Sequence, residues 1–171
     1  MVYTDFKSAF ETMPHELLLS VLPKKGVGPR IVEWLSDFLR DRTFNVKVGS
    51  GLSRTGYVKT GCPQGTVCGS VLFLMYIDEV KHIMSENVRF HVYADYVKIV
   101  KRIRDYDDCV ALQAVLNDFS VWTEKMGLSL SVNKCGVLRI GTSLPVYRVV
   151  SHSVFGPYLE NEASERKKSH G

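Results

Sequence analysis

The chain has 171 residues, 45% of them apolar, which suits one domain with a real hydrophobic core and excludes intrinsic disorder as the default. A formal net charge of +4 is compatible with nucleic acid but too small to argue for it unaided. Cys62, Cys68, Cys109 and Cys135 form no Cys-x-x-Cys pair and have no zinc-spaced histidines, the start carries Asp5 and Lys7 where a signal peptide is apolar, and the most apolar window, 71–77, is too short for a bilayer, so a soluble intracellular protein with reduced thiols is expected.

Met1-Val2-Tyr3-Thr4-Asp5-Phe6 reads as a short strand that reaches a carboxylate almost at once, and its position suggests a domain that begins further upstream. Pro14 opens a helical turn whose apolar face is Leu17, Leu18, Val21 and Leu22, stopped by Pro23. After Gly26, Gly28 and Pro29, a second amphipathic helix places Ile31, Trp34, Leu35, Phe38 and Leu39 on one face. The period changes to two at Phe44, Val46 and Val48, and Gly49-Ser50-Gly51 turns this polar hairpin back towards Thr60. Gly61-Cys62-Pro63-Gln64-Gly65-Thr66 is loop chemistry, with Thr66 or Ser70 as a helix cap. Residues 67–84 are apolar nearly all round and predict a helix buried in the middle of the domain.

Residues 90–100 are rich in β-branched and aromatic side chains, and Asp95 at their centre predicts a hairpin bent at a carboxylate. A helix follows over about 107–126, with Leu112, Val115, Leu116, Phe119, Trp122 and Met126 on one face and Gly127 as its stop. Residues 128–140 alternate as a strand pair around Asn133-Lys134. Residues 146–155 are strand-like, and 160–171 form a polar tail expected to be disordered. The order describes an α+β layer, helices packed on one face of an antiparallel sheet.

Asp5 and Asp95 sit at comparable places on strands that can lie side by side. Two carboxylates about 4 Å apart repel by about 4 kcal/mol at an effective dielectric of 20, a conflict that a shared divalent cation resolves, and oxygen ligands of this kind select Mg²⁺ or Mn²⁺. A surface turn at Asp95 is the plainer alternative.

Residues 5–15, Asp5-Phe6-Lys7-Ser8-Ala9-Phe10-Glu11-Thr12-Met13-Pro14-His15, resemble the first palm motif of reverse transcriptases, in particular those of non-LTR, LINE-like retrotransposons. Gly61-Cys62-Pro63-Gln64-Gly65-Thr66 and the helix after it resemble that family's Pro-Gln-Gly loop, Tyr93-Ala94-Asp95-Tyr96 its Tyr-Ala-Asp-Asp box, and Trp122 to Asn133-Lys134-Cys135 the segment that ends in its palm lysine. With Trp34-Leu35-Ser36-Asp37-Phe38-Leu39 and Arg42-Thr43, the resemblance covers residues 3–141, and the divisions it implies are a palm region over 1–141, a degenerate connector over 142–159 and a tail over 160–171. It implies a palm-like fragment of an RNA-directed DNA polymerase that uses an RNA template, a DNA primer, deoxynucleoside triphosphates and Mg²⁺ or Mn²⁺. Asp5 and Asp95 would be the metal ligands, Lys134 a proton donor to the leaving pyrophosphate, and Phe10, Gln64 and Gly65 the nucleotide-binding residues. For Phe10 a core ring, for Gln64 a solvated loop amide and for Lys134 an exposed strand-turn lysine are the alternatives. Pro14 and His15 are assigned to helix entry.

Three departures point to an impaired or inactive enzyme with weakened metal binding. Tyr96, a neutral phenol and poor magnesium ligand, stands where the family has its second aspartate. Glu11 replaces the usual aspartate, and the fingers region that would precede Asp5 is expected to be absent along with a thumb and an endonuclease. Two competing readings stand beside this one: a noncatalytic RNA-binding palm-like domain using Lys98, Lys101, Arg102 and Arg104, and a decayed retroelement remnant without a biochemical role.

Overall fold

A computed structural model describes residues 1–85, 87–138 and 140. In chain order it begins with strand β1 (Val2–Asp5), short helices α1 (Ala9–Thr12) and α2 (His15–Val21), a 3₁₀ turn at Leu22–Lys25, and helix α3 (Pro29–Leu39). Four short strands follow, β2 (Thr43–Phe44), β3 (Lys47–Val48), β4 (Gly51–Leu52) and β5 (Gly56–Tyr57), then helix α4 (Val67–Ile77) and a 3₁₀ turn at Asp78–Ile83. Next come β6 (Arg89–Tyr93), β7 (Tyr96–Val100), helix α5 (Tyr106–Lys125), a 3₁₀ turn at Val132–Lys134, and β8 (Gly136–Val137). No described helix is long and apolar enough to cross a membrane.

These elements form two compact units, one from Met1–Lys7 and the described residues from Val80 onward, the other from Ser8–Glu79. In the first, a four-stranded antiparallel sheet runs β6-β7-β1-β8. Alternation along a strand sends successive side chains to opposite faces. Val2 and Thr4 pair with Ile99 and Val97, and all four are buried, whereas Tyr3 and Asp5 pair with Lys98 and Tyr96 on the other face. Thr4 costs little inside because its hydroxyl donates to the Val97 carbonyl at 3.1 Å.

Helix α5 is capped by Asp105, whose carboxylate accepts from the Asp108 amide at 2.9 Å. Its far end closes on left-handed Gly127 (φ 62°), with Leu128 N–H bonded to the Thr123 carbonyl at 2.9 Å and Gly127 N–H to that of Glu124 at 3.0 Å. Between these caps it buries Leu112, Val115, Leu116, Phe119 and Trp122. Phe6, just past β1, joins strand to helix, its ring centroid 6.1 Å from that of Phe119 and 6.5 Å from that of Trp122. The architecture is α+β and palm-like, as read from the sequence.

In the second unit α2 buries Leu18 and Val21 and packs against α3 and α4. β2 pairs with β5, and β3 with β4 across a turn at left-handed Gly49, which is the expected hairpin in two short ladders. Lys25 sits against Asp78 at 2.6 Å and Glu79 at 2.7 Å. Burial alone would lower its pKa, but the hydrogen bonds and charges of the two carboxylates outweigh that and raise it.

Four expectations change. The helix predicted over 67–84 stops at Ile77, because Asp78 and Glu79 turn into a 3₁₀ segment held by Lys25. It is not buried all round either: Leu72, Phe73, Tyr76 and Ile77 are inside, but Val67, Val71 and Leu74 are exposed. In α3 the buried residues are Leu35 and Leu39, while Ile31 and Trp34 face water and Trp34 stacks on Phe38 at 5.3 Å. The strand pair expected over 128–140 is instead a single bridge from Leu130 to Phe6, the Val132–Lys134 turn and two-residue β8, since β1 offers only Val2 and Tyr3 to pair on that side. The strand-like stretch at 146–155 and the tail at 160–171 lie outside the described residues.

Candidate active site

β1 ends at Asp5 directly opposite Tyr96, the first residue of β7. Asp95 precedes it in a two-residue turn between paired Tyr93 and Tyr96, and its carbonyl accepts from Phe6 N–H at 3.3 Å. Tight hairpins call for a positive φ at the first turn residue, and here Ala94 supplies it at 50°, at a cost of about 1–2 kcal/mol for a residue with a Cβ. The sheet pairing thus brings Asp5, Asp95 and Tyr96 to one end of neighbouring strands.

The Asp5 side chain is only 1% exposed, and neither carboxylate oxygen has a hydrogen-bond partner of good geometry. The cation beside it is Lys134, with Nζ 3.5 Å from Oδ1. Its backbone is better held: the Asp5 carbonyl accepts from Ser131 N–H at 2.8 Å, and the Cys135 thiol lies 4.0 Å from the same oxygen. Burial pushes the Cys135 thiol's pKa up. Tyr96 also titrates above its ordinary value, first through hydrogen bonding to Asp5 and then through the Asp5 charge, with Lys134 opposing. Since no Asp5 oxygen has a well-formed bond, this contact is proximity and charge rather than a strong hydrogen bond.

Phe10, Gln64 and Gly65 belong to the Ser8–Glu79 unit. There the Gly61-Cys62-Pro63-Gln64-Gly65-Thr66 loop is fastened to the segment around α1. Gly61 N–H donates to Met13 O at 2.7 Å, Cys62 N–H to Phe10 O at 2.9 Å, and His15 Nε2 to Gly61 O at 2.8 Å. Gly61 has φ 83°, and a Cβ on it would come within 2.7 Å of Glu11 backbone, so only glycine fits. Gln64 is exposed and donates to Glu11 Oε1 at 3.3 Å, and Gly65 is left-handed. Phe10 is half-buried with its ring 4.2 Å from that of buried Phe73. Thr66, rather than Ser70, caps α4, accepting from Gly69 N–H at 3.0 Å. Pro14 and His15 form the entry to α2, as expected.

The family model for reverse transcriptase (RNA-dependent DNA polymerase) matches residues 1–165. The chain belongs to the reverse transcriptase family. It is 26% identical over 140 residues to the RNA-directed DNA polymerase from mobile element jockey of Drosophila melanogaster, covering 78% of this chain and 15% of that protein. It is 24% identical to the jockey polymerase of Drosophila funebris over the same shares. With the probable RNA-directed DNA polymerase from transposon X-element of Drosophila melanogaster it shares 25% identity over 154 residues, 85% of this chain and 17% of the relative. The chain therefore spans about one sixth of the length of these curated relatives.

A reverse transcriptase family member raises the question of divalent cations. The orphaned, buried oxygens of Asp5 fit a cation, but the donor set is short: among the described residues no three His, Cys, Asp or Glu side chains gather closely enough to hold a metal ion. The residues here fit one ion incompletely and do not fit a pair. Two features were not legible from the motifs, the approach of Lys134 to Asp5 and the fastening of Asp5 by Ser131, because both depend on how the 3₁₀ turn returns to β1. The basic residues expected to face RNA also divide. Lys101 is buried against Asp108 at 2.9 Å and is not free for phosphate, while Lys98 lies exposed on the open sheet face with Arg89, His91, Tyr3, Tyr93 and Tyr96.

Proposed function

We propose that residues 1–141 are the palm region of a non-LTR retrotransposon RNA-directed DNA polymerase whose RNA-templated synthesis is impaired or lost. The observation that carries this reading is the β1–β7 pairing, which sets Asp5 opposite Tyr96 and beside the Asp95 turn, with a phenol where a third carboxylate would complete the site. Bound Mg²⁺ or Mn²⁺ supplies activation of a primer hydroxyl and charge stabilisation of the triphosphate in such chemistry. Asp5 and Asp95 would hold it weakly. Tyr96 adds neither charge nor a strong oxygen ligand. Lys134, as proton donor to pyrophosphate, would have to leave Asp5 first. Phe10 would limit the space at a sugar 2′ position, and Gln64 and Gly65 would line the nucleotide.

The test is primer extension on an RNA template with Mg²⁺ or Mn²⁺, using Asp95→Ala as the blank. We expect no extension above blank from the 171-residue chain, and extension above it would overturn the proposed impairment. A second reading, nucleic-acid binding without synthesis, is favoured by the exposed Tyr3, Tyr93, Tyr96, Arg89, His91 and Lys98 on one sheet face, a mixture of stacking surfaces and phosphate partners. It requires RNA binding that weakens steeply with salt and that Lys98→Ala reduces.

A further inference from the structure

Asp5 carries a charge almost wholly out of water, without well-formed hydrogen bonds, and the Lys134 ammonium stands 3.5 Å from it. Lys134 is held there by the residue it serves. Ser131 N–H donates to the Asp5 carbonyl at 2.8 Å, and Lys134 N–H donates to the Ser131 carbonyl at 2.8 Å, so the 3₁₀ turn that presents the ammonium is fastened to Asp5 itself. We propose that in this chain Lys134 takes the place of the divalent cation, forming with Asp5 and neutral Tyr96 a self-neutralised site that resists metal until the ammonium is removed. The inference rests on the reading of Asp5 as the metal-binding carboxylate.

Charge arithmetic supports it. Lys134 cancels the charge of Asp5 and leaves that of Asp95 as the cluster's one net negative charge, so a divalent ion would make the cluster positive, whereas with an aspartate at position 96 the same ion would leave it neutral. The lysine is 64% exposed, which screens its effect, so its removal should tighten Mn²⁺ binding by roughly five- to tenfold rather than by orders of magnitude.

The full chain is titrated with Mn²⁺, following free ion by electron paramagnetic resonance, paramagnetic broadening of the Phe6 and Tyr96 amides, and Tm. Lys134→Gln should lower Tm without metal, regain it with Mn²⁺, and broaden both amides at Mn²⁺ concentrations that leave the natural chain unaffected. Lys134→Arg, which keeps the charge, should behave as the natural chain, and adding Asp5→Asn to Lys134→Gln should abolish the response. If Lys134→Gln does not fold without metal, refolding on Mn²⁺ addition gives the same answer. Equal titration of the natural chain and Lys134→Gln, lost in both with Asp5→Asn, overturns the role of the lysine alone. A response that survives Asp5→Asn places the ion elsewhere and overturns the reading of Asp5 as well.

Discussion

Helix α4 offers two leucines two positions apart, of the same chemistry and in the same element, that the fold treats oppositely. Leu72 is 3% exposed and Leu74 is 54% exposed. Leu72→Ala removes a buried side chain beside fully buried Phe73 and leaves a cavity, a change that costs about 2–5 kcal/mol. Leu74 keeps more than half its surface in water, so less than half of the about 1.5–3 kcal/mol for burying a leucine is at stake, no cavity forms, and alanine is the slightly better helix former. Its loss should come to about 0.5–1 kcal/mol. Urea unfolding followed by circular dichroism measures both, with unchanged slopes confirming that the same surface is exposed. Losses equal to within about 0.5 kcal/mol would refute the one-sided burial of α4, as would a larger cost at Leu74.

Other outcomes follow from the same reasoning. Gly69→Ala would drive a Cβ into the Pro63 carbonyl oxygen and push the Gln64 loop off the Thr66 cap, so despite alanine's helix propensity it should destabilise by about 1–3 kcal/mol in the same urea assay. The carboxyl of Asp108 is held below its ordinary 3.8, first by the hydrogen bond from Lys101. The stability it contributes is therefore present above 3.8 and lost as pH falls through its lower folded value, and Lys101→Met should flatten the fall of Tm on that acid limb. Cys62 and Cys135 are buried, with thiols pushed up by that burial, so mass-spectrometric mapping after iodoacetamide at neutral pH should find the half-buried Cys68 alkylated at least about tenfold faster.

What the sequence disclosed were features set by local chemistry. Thr66 as a cap, Gly127 as a helix stop and the turn around Gly49 are read within a few residues of themselves, and the strand character of 90–100 comes from its own side chains, whereas the Asp105 cap of α5 came only with the structure. The motif order brought Asp5 and Asp95 to neighbouring strands in advance. The exposure of Val67, Val71 and Leu74 was not legible, because an all-apolar helix says nothing about which of its faces another element covers. Lys134 carried two readings, a proton donor by resemblance and an exposed strand-turn lysine, and its approach to Asp5 became visible only when the expected strand pair proved to be a bridge, a 3₁₀ turn and a short strand. Lys101 likewise read as a free cation until its burial against Asp108 removed it from the basic surface.

The interior position of β1 has a consequence for synthesis. Its neighbours in the sheet, β7 and β8, are translated only after the whole of Ser8–Glu79 has been made. At about 5–20 residues per second, β1 waits several seconds for β7 and longer still for β8. During that interval both of its edges are unpaired, and Val2 and Phe6 lack the strands and helix that later bury them, while the intervening unit has all of its own residues in hand. The strand that carries Asp5 is thus the first of its sheet to be synthesised and among the last to be satisfied. A sheet assembled from such distant partners folds slowly, and in a nascent chain this aspartate strand needs shelter until β7 arrives.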